Sequence, residues 1–183
     1  MSMITSEALS AFGDKVVLAL LIGISTNAIF LLLLSVVRPK VAISRKIAKG
    51  KSRTGRDIYR IKIINKTKHP IVDIKAQLHL LTNYQTHNGD IFKAKQLKLV
   101  QSEPLTISGF NKRDRDADYA YRFVTYEDLG EVWSDDTAGF LRLRIFSRHS
   151  ITGFGSVIQQ DFRLKRASIV EGDFAKGNSF AIL

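Results

Sequence analysis

The hydrophobic pattern divides the chain near residue 37. Val16 to Val37 is an unbroken run of twenty-two uncharged residues. At 1.5 Å rise per residue such a helix reaches about 33 Å, enough to cross a bilayer core of about 30 Å. Beyond it the period becomes strand-like. In "PIVDIKAQLHLL", Val72, Ile74, Ala76, Leu78 and Leu80 alternate with Asp73, Lys75, Gln77 and His79, which predicts a half-buried strand with those five apolar side chains turned inward. The preceding "DIYRIKIIN" (57–65) is rich in β-branched residues, and "KTKHP" supplies a short turn with Pro70 where no ladder donor is needed. The two runs therefore predict a hairpin.

Further strands are predicted at Ile91–Val100, Leu105–Phe110, Tyr119–Tyr126, Gly139–Ser147 and Ser156–Arg166, separated by turns such as "HNGD", "SDDTAG" and "ITGFG". Seven or so short strands suit a sandwich of two packed sheets, with a closed small barrel as the alternative. No internal repeat or low-complexity segment interrupts them.

Charge gives the helix an orientation. A secretory signal places positive charge before a shorter apolar core, whereas here only Lys15 precedes the run, alongside Glu7 and Asp14. Arg38, Lys40, Arg45, Lys46, Lys49, Lys51, Arg53 and Arg56 follow it. Short flanks rich in Lys and Arg stay cytoplasmic, so residues 1–15 are expected outside and everything after Val37 inside, with the chain single-pass in an inner or plasma membrane. The lack of cysteine fits a reducing compartment.

The formal charge of +11 is localised. Between Arg38 and Lys68 stand twelve Lys or Arg against the single acid Asp57, and the other 152 residues balance at sixteen against sixteen. A basic segment directly after a membrane helix lies within a Debye length of anionic headgroups, where each cation contributes on the order of 1 kcal/mol. Anionic lipid is thus the expected partner of Arg38, Lys40, Arg45, Lys46 and Lys49, unless these charges only fix topology. Nucleic acid is not expected, since the cluster has no aromatic interleaving before Tyr59. Asp114 to Asp136 forms the counterpart, eight acids against Arg115 and Arg122.

At this point the order of features resembles the second half of a bacterial inward-rectifier potassium channel. "TNAIFLLLLSVVRPK" is similar to the end of that family's inner helix and its arginine-proline junction. "YRIKIINKTKHPIVDIKAQLHLL" resembles its first cytoplasmic hairpin, "NGDIFKAKQLKLVQSEPLTI" the next stretch, and "GFLRLRIFSRH", "TGFGSVIQQDF" and "IVEGDF" its closing strands. The resemblance runs from about Gly23 to Phe174. It implies one N-terminal transmembrane α-helix plus an all-β immunoglobulin-like sandwich, assembled as a homo-oligomer, by resemblance a tetramer.

Two departures stand out. Family members carry an outer helix, a pore helix and a filter whose carbonyls replace potassium's hydration shell. Only 22 residues precede Gly23 and none forms such a filter, so the chain alone is not expected to be a selective potassium channel. Lys46 also stands where the family has a histidine just after the junction.

The expected organisation is a short extracytoplasmic N-terminus (1–15), the transmembrane helix (16–37), a basic juxtamembrane linker (38–56), the cytoplasmic sandwich (57–175) and a C-terminal tail (176–183). Thr5 or Ser6 can cap a helix running into the span. Within the span, Ala19, Gly23 and Asn27 recur every four residues with Thr26 beside them, so one face is small and polar. That face packs against protein, or, as the resemblance implies, places Asn27 toward a central pore.

Catalysis finds no pattern to rest on. His69, His79, His87 and His149 lack metal-ligand spacing, and no cofactor or enzymatic activity is expected. Asp135-Asp136 and Asp114-Arg115-Asp116 read as solvated loop charge. "GFGS" (Gly153–Ser156) lacks the Lys and helix of a phosphate-binding loop, and Trp133 reads as a core or interface anchor. Two classes remain: a channel-like or channel-regulating subunit gated by lipid or ligand, and a membrane-anchored effector whose β domain senses a nucleotide second messenger or a protein partner.

Overall fold

A computed structural model describes residues 6–87, 89–114, 116–134 and 139–183. The expected turns at Asn88 and around Asp135-Asp136, together with Arg115 and Thr5, lie outside the described residues. The chain forms two compact units, Met1–Arg38 and Pro39–Leu183.

The first unit is a single helix, α1, Ser6–Val37. Its stretch Lys15–Leu34 is long and apolar enough to cross a membrane, and a segment of this composition near the N-terminus also suits a signal sequence. Every side chain from Lys15 to Leu33 is exposed. A helix with so much exposed apolar surface is stable only when something other than water covers it.

The second unit is predominantly β, in two sheets. Its strands are β1 (Val41–Ile43), β2 (Ile47–Lys51), β3 (Asp57–Asn65), β4 (Ile71–Thr86), β5 (Gly89–Leu97), β6 (Thr106–Ile107), β7 (Ala120–Thr125), β8 (Gly139–His149), β9 (Gly155–Phe162) and β10 (Ile169–Glu171). Two one-turn helices, α2 (Leu129–Val132) and α3 (Lys165–Ser168), link β7 to β8 and β9 to β10.

In the first sheet β3 is central, with β7 on one side and, on the other, β1 paired to its C-terminal end and β2 to its N-terminal end. β10 extends it parallel to β2. In the second sheet β4 is flanked by β8 and then β9 on one side, and by β5 and β6 on the other.

The core lies between the sheets. Tyr59, Ile61, Ile63 and Phe123 of the first meet Ile74, Leu78, Leu143 and Ile145 of the second. Each fully buried aliphatic side chain contributes on the order of 1.5–3 kcal/mol of transfer free energy. Trp133 anchors one end, 2% exposed, its indole Nε1 donating to the Gly139 carbonyl at 3.0 Å.

Several expectations are corrected in detail. The segment read as a linker, 38–56, holds β1 and β2, which pair with β3. β3 and β4 do not form a hairpin: they belong to different sheets, and 66–70 crosses between them. Asn65 enforces that corner. Fully buried, its side-chain amide donates to the carbonyls of His69 (3.0 Å) and Ser108 (2.9 Å), while its Oδ1 accepts from Thr67 N–H at 2.9 Å. Gly109 lies against the corner so closely that a Cβ there would sit 2.1 Å from the Lys68 carbonyl oxygen.

The alternation in β4 holds only from Ile74 onward. Its register against β8 shifts between Val72 and Lys75, and Asp73 adopts φ 50°, a bulge that turns Ile71 inward in place of Val72. The run 105–110 contributes only β6 to the second sheet.

The segment read as a tail is integrated. Leu183 N–H donates to the Asp173 carbonyl (2.9 Å) and Ala175 N–H to that of Ala181 (2.9 Å). Phe174 is buried, and Phe180 packs against a small second cluster of Ile64, Ala117 and Tyr119.

Candidate functional site

Of the five cations expected to meet lipid, Arg38 belongs to the first unit, and Lys40, Arg45, Lys46 and Lys49 are spread along the segment of β1 and β2 in the second. Arg38 follows α1 directly, and Lys40 precedes β1, its main chain bonded to Thr67 and Lys66. Ser44–Lys46 is a short excursion between β1 and β2. It is pinned by Ser44, whose N–H donates to the Lys62 carbonyl and whose Oγ donates to that of Lys46. Arg45 is exposed there without a side-chain partner among the described residues. Lys46 Nζ donates to the Ala167 carbonyl.

Lys49 is committed inside the unit. Its ammonium lies 3.0 Å from the Asp57 carboxylate and 5.9 Å from the Tyr59 ring centroid, and the Asp57 contact raises its pKa. Val41 pairs with Asn65 and Lys49 with Tyr59, so about 20 Å of β3 separates the two ends of this basic run. That exceeds the Debye length of about 8 Å, so the Lys40 end and the Lys49 end of the run do not reinforce each other.

On α1, Ala19, Gly23, Thr26 and Asn27 are all exposed. The Thr26 hydroxyl donates to the Ile22 carbonyl at 2.8 Å and is satisfied within its own helix. A Cβ added at Gly23 would meet nothing within 4 Å, so the space beside this face is open for close helix packing.

The acidic segment is largely loop chemistry. Asp114 accepts from the N–H groups of Asp116 and Asp118 at 3.0 Å each. Asp128 caps α2 through Gly130 N–H at 2.7 Å and accepts from the Tyr59 hydroxyl at 3.1 Å. Among the described residues no group of three or more His, Asp or Glu is placed to hold a metal. His149 is buried, its Nδ1 facing the N–H groups of Ile151 and Thr152 at 3.4 Å.

A different polar centre lies on the outer face of the first sheet, beneath the C-terminal segment. Lys62 of β3 is 1% exposed, and its Nζ donates to the carbonyls of Ala175 (2.7 Å), Gly177 (2.7 Å) and Ser179 (2.8 Å). Burial lowers its pKa, reinforced by Arg122 directly opposite on β7. The Arg122 guanidinium donates to the Phe174 carbonyl at 2.7 Å, Arg60 faces Asp173 at 3.9 Å, and Lys66 Nζ donates to Asn178. Beside Lys62 and Arg122 opens a cleft of about 260 Å³, completed by Asp116, Ala117, Lys176 and Gly177.

Alternation alone puts Lys62 on the polar face of β3 and gives no sign of burial. The available signal was "GDFAKGNSFAIL", where two glycines punctuate a segment whose Phe174, Phe180 and Ile182 can cover a sheet face. Comparison adds no kinship: no family model matches the chain, and no curated protein matches it in sequence.

Proposed function

We propose that this protein is a non-enzymatic, single-pass membrane subunit related to inward-rectifier potassium channels. Its β unit is an immunoglobulin-like sandwich on the cytoplasmic side, and it assembles with copies of itself. The observation that carries this reading is α1: uncharged from Val16 to Val37, uncovered from Lys15 to Leu33, and followed at once by Arg38 and Lys40. Gly23 lets a second helix approach closely, and Asn27 then finds a partner across the interface rather than lipid. Anionic lipid at the exposed cations Arg38, Lys40 and Arg45 biases how the helices pack, and a channel-like path or the regulation of a partner channel follows from that packing.

Native mass spectrometry of the chain in nanodiscs, with and without anionic lipid, tests the assembly. A tetramer is expected. A monomer under both conditions overturns self-assembly.

The cleft beside Lys62 and Arg122 favours a second reading, a membrane-anchored effector whose β unit senses a small ligand. An effector permeabilises liposomes only when its ligand is present, whereas the first reading predicts an oligomer that forms without one.

A further inference from the structure

The outer face of the first sheet carries more positive charge than its surroundings cancel. Lys62 and Arg122 stand directly opposite each other on adjacent strands, where like charges repel. Lys62 is almost out of water, and a buried ammonium is costly unless it is bonded and paired. Three carbonyls use its three donors, but they are dipoles and leave its charge in place. Arg122 makes one bond, to the Phe174 carbonyl, which leaves most of its five donors free among the described residues.

The nearby acids do not restore balance. Asp173 attracts Lys62 but also faces Arg60 at 3.9 Å, and Lys66 adds a further cation on this face. Among the described residues of the cleft wall, Lys62, Arg122 and Lys176 stand against Asp116 alone, leaving two positive charges uncancelled.

We propose that this cleft binds a phosphoryl dianion, held by Arg122 and Lys176 within the field of Lys62. A dianion matches the uncancelled charge where a monoanion leaves half of it. The planar fork of Arg122 suits two oxygens of one phosphoryl group. At about 260 Å³ the cleft is smaller than the roughly 300–1,000 Å³ of pockets that enclose drug-sized ligands, so it admits a phosphoryl or diphosphoryl group with the rest of the molecule outside.

Binding also has a structural consequence. Arg122 belongs to the sheet and Lys176 to the C-terminal segment, so an anion between them fastens that segment onto the sheet. The inference stands on the β unit alone and holds whether or not the chain self-assembles.

A phosphoryl group reaches the cleft on a soluble molecule or on a lipid headgroup, and the test separates the two. The full chain in phosphatidylcholine nanodiscs is titrated with inorganic pyrophosphate at constant ionic strength while thermal unfolding is followed. A parallel sample holds phosphatidic acid in the nanodisc and no pyrophosphate. We expect a saturable rise in unfolding temperature in at least one arm, with at least tenfold weaker apparent affinity in R122Q and in K176Q. Lys176 is exposed and makes no bond within the chain among the described residues, so K176Q tests the site even where R122Q perturbs folding. A rise confined to pyrophosphate and lost in the variants identifies a soluble occupant. One confined to phosphatidic acid and lost in them identifies a lipid. No rise in either arm, or a rise undiminished in both variants, overturns the site.

Discussion

Asn65 holds the corner where the chain leaves one sheet for the other, and its three side-chain bonds close groups that no other described residue serves. Asn65→Ala strips partners from two carbonyls and one N–H at a fully buried position, so a loss of about 2–4 kcal/mol is expected. Trp133, the chain's single tryptophan and a core residue, reports this as an earlier denaturation midpoint by fluorescence. A second residue-scale prediction concerns pH. Arg142 donates to both oxygens of Asp161, at 2.7 and 2.8 Å, and this contact holds the Asp161 carboxyl below the ordinary carboxylate range. A carboxyl with a depressed folded pKa contributes stability above its unfolded pKa of about 4 and loses it as pH falls through the folded value. Asp161→Asn should therefore cost about 1–2 kcal/mol near pH 7 and flatten the acid limb of a denaturation profile; an acid limb unchanged from the parent would assign that limb to other carboxylates.

Elements were legible in proportion to how locally their determinants sit. β3 spans 57–65 as the sequence pattern has it, and β8 and β9 fall near their expected bounds, because β-branched runs and flanking turns are local features. Pairing was not local. β3 and β4 are each good strands joined by five residues, yet they belong to different sheets, and the corner between them is held by Asn65, whose partners include distant Ser108. The same limit hid the cation centre: Lys62 is an ordinary polar-face lysine until residues 175–179, more than a hundred positions on, fold across it. That covering element can be tested directly. Gly172 has φ +125°, and a Cβ there would lie 2.2 Å from the Leu183 carbonyl oxygen, so Gly172→Ala must displace the chain end. Amide exchange at Ala175 and Leu183 should accelerate by at least tenfold while exchange in β8 stays as in the parent; equal acceleration in both would show that the segment does not open as a separate unit.

At the scale of the whole molecule, the basic segment that dominates the sequence's net charge is divided by the fold. Lys49 is held by Asp57 and Tyr59, and Lys46 reaches a carbonyl beside β10, so both cations already have partners within the β unit. Arg38, Lys40 and Arg45 are exposed with no side-chain partner among the described residues, and chain continuity ties Arg38 and Lys40 to the end of α1. A cation near an anionic surface contributes on the order of 1 kcal/mol, about fivefold in affinity, provided it is free to approach. Changing Arg38, Lys40 and Arg45 together to Gln should therefore sharply reduce the anionic lipid retained by the protein in mixed phosphatidylglycerol and phosphatidylcholine nanodiscs, counted by native mass spectrometry. Changing Lys46 and Lys49 to Gln should leave that lipid count near the parent's and instead lower the stability of the β unit, because the second pair acts on the fold. Equal lipid loss in both variants would mean that the segment acts through its total charge, and the division imposed by β1 and β2 would then have no bearing on the membrane.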